Sequence, residues 1–137
     1  MLSARSLPGR PFATLVAVAV LGVAYGLLFP ERSDYLGHFL AGAGGTFVLL
    51  AVVIVSAPNH PLVLVMGVAA AVLLGVAMEA SIFRLAVFDP VDLANQSIGA
   101  LLAGIGLLDA QRGDSSAGLA FVGGCVLLVA GFFYAFA

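Results

Sequence analysis

The sequence has no lysine and no tryptophan, one cysteine, two histidines, and charged side chains at only 9% of its 137 positions. Each shortage excludes something. Five arginines against seven acids, a formal net charge of −2, offer no basic patch for nucleic acid. A single cysteine cannot close an internal disulfide, and Cys125 lies in an apolar run where it reads as a small hydrophobe. There is no H-E-x-x-H helix and no G-x-S-x-G elbow, and a lone imidazole with scattered carboxylates is a weak metal signal. The expectation is a protein with no metal, no cofactor and no catalytic set. A soluble domain carries about a quarter charged residues. This chain is 63% hydrophobic, with mean hydropathy +1.20. A chain of this length cannot hide so much apolar surface from water. Its solvent is lipid.

What is present is a series of apolar runs separated by short polar stretches. Residues 1–11 form a polar leader with Arg5, Arg10, Pro8 and Pro11. The first run, 12–29, spans about 27 Å as a helix, enough for a bilayer core. It is longer than a signal-peptide h-region and no clear small-x-small cleavage site follows its end, so a retained helix is the expectation. Further spans are expected at about 36–56, 62–79, 91–108 and 117–137. The fold class is therefore an all-α integral membrane bundle of about five transmembrane helices, a single domain over 12–137. Small residues recur at four-residue spacing (Gly22 and Gly26, Ala41 and Gly45, Ala71 and Gly75, Gly99 and Ala103), which suits close helix packing in lipid.

Alternating spans fix which loops share a face. The leader, the Pro58 turn and the Asp109 loop fall on one side with Arg5, Arg10 and Arg112; the Pro30 loop and the 81–92 segment fall on the other with Arg32 and Arg84. Three arginines against two set the first side as cytoplasmic, giving a multi-pass protein of the cell membrane with its N-terminus on the cytoplasmic side.

The same alternation gathers the chemistry. Asp34 and His38 open the second span, Glu79 closes the third, and Asp89, Asp92, Asn95 and Gln96 open the fourth, so all lie at one membrane face. Asp34 and His38 are four residues apart and stack on one helix face; Asp92, Asn95 or Gln96, and Gly99 make a second stripe. Carboxylates at such depth face a bundle interior or a wet cavity and pair, and Arg84 is the natural cation for Glu79, Asp89 or Asp92. Structural roles compete for several of these residues. Asp89 before Pro90 reads as a helix N-cap with proline at N1, and Ser33 or Asp34 suits the same role for the second span. Tyr35 and Phe39 fit an interfacial aromatic belt, Arg32 a solvated loop, and His60 a turn. The candidate polar cluster is Asp34, His38, Glu79, Arg84, Asp92 and Asn95.

These residues resemble the VanZ-like family of small polytopic bacterial membrane proteins. Asp34-Tyr35-Leu36-Gly37-His38-Phe39 looks like that family's D-x-x-x-H-F opening of a second helix. Glu79 resembles its glutamate near the end of the third helix, Arg84 an arginine in the following segment, and Asp92-Leu93-Ala94-Asn95 with Gly99 its D…N…G helix start. The resemblance runs from Asp34 to about Gly106. It departs at Ile82, where the family often has glutamine, and in an aspartate-to-asparagine spacing one residue shorter. The family is linked to resistance against glycopeptide antibiotics such as teicoplanin and implies no established reaction.

Three functions follow as expectations. The first is a non-enzymatic envelope protein whose cluster binds an amphiphilic or envelope-related ligand and modulates glycopeptide tolerance. The second is an accessory or assembly subunit whose partner is a larger membrane complex. The third is a small membrane enzyme acting on a lipid-linked substrate through His38, Glu79 and Asp92.

Overall fold

A computed structural model of the chain describes residues 10–56, 60–81, 88–108 and 115–137. Five helices follow in order: α1 Arg10–Leu28, α2 Ser33–Ser56, α3 Pro61–Ser81, α4 Pro90–Leu107 and α5 Ser115–Ala135. No strand occurs among the described residues. The protein is an all-α membrane bundle. Four of the helices, α1, α2, α3 and α5, are long and apolar enough to cross a membrane. The fourth in chain order, α4, matches them in reach at about 27 Å. Its first two turns carry Asp92, Asn95 and Gln96, which lower its hydropathy, and it packs against α1, α2 and α3.

Several helices start upstream of the apolar runs, because hydropathy skips polar first turns. The helix α2 begins at Ser33, three residues before its apolar run. At α3, His60 caps the helix: its Nδ1 accepts from the Leu62 amide at 3.2 Å, with Pro61 as the first helical residue. At α4, Asp89 is the N-cap. Its carboxylate accepts from the Val91 amide at 2.8 Å, and Pro90 follows at N1 with no amide hydrogen to satisfy.

The bundle is built around α2. It touches all four other helices, and 56% of its span is buried, against 17–22% for α1, α3 and α5. Phe39, Phe47 and Leu50 of α2, with Val18 and Leu107, are wholly enclosed. Phe39 therefore leaves the expected aromatic belt: it is a core residue stacked on Tyr25 with ring centroids 4.9 Å apart. Tyr35 stays near the loop, against Phe29 and under the Arg32 guanidinium. The outer surface is apolar; Val23, Leu27, Leu73, Val129 and Phe133 are each more than 60% exposed. Apolar exposure on this scale belongs against lipid chains.

In lipid the hydrophobic effect does not hold helices together, so close packing must. At Gly99 a Cβ would overlap the Phe39 carbonyl oxygen and press on the Ala43 amide, so α4 rests backbone to backbone on α2. At Gly44 a Cβ would collide with the Leu128 amide and lie 2.6 Å from the Gly124 carbonyl, giving the same contact to α5. Contacts along the helices set their directions. His38 meets Asp92 and Gly42 meets Gln96, so α2 and α4 run parallel. Gly67 meets Leu50 and Glu79 meets His38, so α3 runs against them; α1 and α5 do the same.

Candidate ligand site at one end of the bundle

The alternation brings Asp34, His38, Glu79 and Asp92 to one end, where they line a single cavity of about 530 Å³. The cavity exists because α3 and α5 both pack on α2 while their backbones, among the described residues, stay apart from each other. Its floor is the small-residue face of α2, Ala41, Gly42 and Gly45; Ala71, Leu74 and Met78 form one wall, and Leu128 and Phe132 the other. The volume lies within the range of about 300–1,000 Å³ typical of small-molecule sites, as does the character: apolar walls and a few converging polar groups.

His38 is the hub of the polar end. Its Nδ1 lies 2.8 Å from the Asp34 carbonyl oxygen, one helical turn back. A carbonyl oxygen only accepts, so Nδ1 carries a proton. The same nitrogen is 3.6 Å from Asp92 Oδ1, and Nε2 is 4.0 Å from Glu79 Oε2. Both carboxylates are about nine-tenths buried, and Asp92 Oδ1 has no hydrogen-bond partner among the described residues. Deeper in the cavity stands Thr46, 1% exposed, whose hydroxyl is likewise without a partner among them. It follows His38 by eight residues, about 12 Å along the helix.

Two residues outside the candidate cluster belong to this end. Gln96 lines the cavity, its amide lying over Gly75, where a Cβ would overlap it. Arg32 is an exposed loop residue, as expected, and is engaged as well. It grips Asp34 through Nε and Nη2 at 2.8–3.1 Å and reaches Asp89 at 3.6 Å, joining the α1–α2 loop to the α4 cap. The Asp34 hydrogen bond holds its guanidinium more firmly charged than usual. Asp34 thus serves the rim as an ion-pair partner as well as lining the cavity.

Asn95, by contrast, turns away from the cavity. Its Oδ1 accepts from the Tyr25 hydroxyl at 2.9 Å, so it faces α1, and its Nδ2 is buried without a partner among the described residues. Arg84 and Ile82 lie outside the described residues, as do the leader up to Gly9, the Pro58 turn and the Asp109 loop. Among the described residues no group of three or more histidine, cysteine or carboxylate side chains is arranged to hold a metal ion. Cys125 is a free thiol within α5.

The arrangement can accept protons and hydrogen bonds at one end and bury a hydrocarbon chain along the rest. The chain matches no protein-family model, no curated protein and no solved structure.

Proposed function

We propose that the protein is a non-enzymatic, membrane-embedded binding protein of the bacterial cell envelope that takes an amphiphilic ligand into the cleft between α3 and α5. One observation carries the reading: the polar group His38–Glu79–Asp92 stands at one end of an otherwise apolar cavity of ligand size. A structural polar network would fill its own interior; this one leaves space beside it. The resemblance of Asp34–Gly106 to VanZ-like proteins adds the physiological direction, tolerance to glycopeptide-type antibiotics. The arginine bias adds the orientation, with the N-terminus cytoplasmic and the cavity's polar end at the outer face of the plasma membrane.

A susceptibility assay in the natural host tests it. Deletion is expected to shift sensitivity to lipid-bearing glycopeptides, and wild-type protein to restore it. A Glu79→Gln, Asp92→Asn double variant, expressed at the same level, is expected to fail. Restoration by the double variant would mean that the cavity's polar end has no part in the function.

A further inference from the structure

The cavity's polar end is rich in acceptors and poor in donors, and that imbalance describes what belongs there. Glu79 and Asp92 bring carboxylates. With Nδ1 donating to the Asp34 carbonyl, His38 turns Nε2 towards Glu79. Glu79 stands 4.0 Å from Nε2 and Asp92 3.6 Å from Nδ1, both beyond hydrogen-bond length, so two buried carboxylates flank one imidazole without a hydrogen bond to it. Arg32, the cation nearest among the described residues, does not line the cavity and is taken by Asp34 and Asp89 at the rim. On the facing wall, α5 contributes no charge at all. It offers Phe132, stacked on Phe136 at 6.1 Å, both lining the cavity beside the first turns of α2. Aromatic faces attract cations.

A second observation is independent of the acids: past the polar end the lining is apolar, with Ala41, Gly45, Leu49, Ala71, Leu74 and Leu128. From His38 to Leu49, the last α2 residue of the lining, the cavity runs about 16 Å, enough for one extended alkyl chain.

We infer that the cavity holds a single alkyl chain headed by an N–H-bearing ammonium group, which pairs with the carboxylates of Glu79 and Asp92. This rests on the amphiphile-binding reading above and assigns the charge and hydrogen-bonding character of its ligand. An ammonium supplies both the missing charge and the missing donors; an anionic head would add a further acceptor to a carboxylate-lined site.

Three nitroxide-labelled probes, octadecylamine, octadecyltrimethylammonium and octadecyl sulfate, separate the possibilities. The intact protein in phosphatidylcholine nanodiscs would be titrated with each, and the immobilised fraction read by electron paramagnetic resonance. The amine is expected to bind at least about tenfold more tightly than the sulfate, the worth of one charge-assisted hydrogen bond. It should also exceed the trimethylammonium, which has the charge without donors. Glu79→Gln and Asp92→Asn should each weaken the amine selectively. Equal binding of amine and sulfate overturns the ammonium assignment while leaving an amphiphile site; equal binding of amine and trimethylammonium overturns the donor requirement. Binding of the amine only after Arg84→Gln overturns the proposal by making the protein's own arginine the occupant. Immobilisation of no probe removes the amphiphile reading as well. The head-group series on wild-type protein decides the matter even if a variant folds poorly.

Discussion

At the residue scale, Asn95 and Gln96 show how far spacing reads into a membrane helix. Both lie one turn past Asp92, so either can share its stripe. Which one faces the cavity depends on the rotation of α4 against α2, set where Gly99 meets the Phe39 backbone. The structure turns Gln96 inward and gives Asn95 to Tyr25. The sequence did hold a signal for the second pairing: Tyr25 is a hydroxyl in an apolar span, and such a group needs a partner. Asp34, His38, Glu79 and Asp92 were legible because alternation of the spans alone sets their depth, with no finer geometry required. Tyr25→Phe keeps the stacking on Phe39 and removes one hydrogen bond, leaving Asn95 Oδ1 without its donor. We expect a loss of about 0.5–1.5 kcal/mol in unfolding by steric trapping in bicelles. In an Asn95→Leu background the same substitution should change little; an equal loss in both would show that the pair is not coupled.

At the element scale, hydropathy reads the helices and misses their contacts. The five apolar runs correspond to five helices, and Asp89-Pro90 marks the start of α4 as a cap should. The glycines are harder. Four-residue spacing singles out Gly45, whose nearest outside neighbour to a Cβ would be a Leu128 methyl at 3.8 Å, ordinary contact. It passes over Gly44, where α2 and α5 touch backbone to backbone. Spacing shows that a small-residue face exists; only the partner's position shows which member is obligatory. Gly99 and Gly118 put this to a test. Gly99→Ala forces a methyl into the Phe39 carbonyl and the Ala43 amide, and backbone cannot rotate aside. The expected loss is about 1–3 kcal/mol. Gly118, also helical, has nothing within 4 Å of where an added methyl would sit, so Gly118→Ala should gain about 0.5–1 kcal/mol from helix propensity alone. Thermal unfolding in the same detergent ranks the two; a Gly99→Ala protein as stable as wild type would mean that α2 and α4 are not in backbone contact.

At the scale of the whole molecule, the decisive fact is that α3 and α5 make no close backbone approach among the described residues. With α2 at the centre, α3 and α5 could have closed against each other, and they stand apart with the cavity between them. Nothing in the sequence announces this, because both helices are apolar nearly all round and their periodicity does not say which face is lipid and which is neighbour. If the gap were merely a packing fault, filling it would improve the protein at no functional loss. If it holds a ligand, filling it should improve stability and abolish function together. Ala71 lines the gap from α3 and is partly buried, whereas Ala70, one residue earlier, faces outward. Ala71→Phe should project a ring into the empty space, leaving every polar residue of the site in place. Cavity filling of this kind contributes about 0.5–2 kcal/mol, so we expect an unchanged or higher unfolding temperature, loss of immobilised octadecylamine, and loss of the complementation phenotype. Ala70→Phe adds the same ring on the lipid side and should leave binding and phenotype intact. Retained binding in Ala71→Phe would move the ligand out of the α3–α5 gap, and equal damage from both substitutions would attribute the effect to the added bulk on α3 instead of to the space it fills.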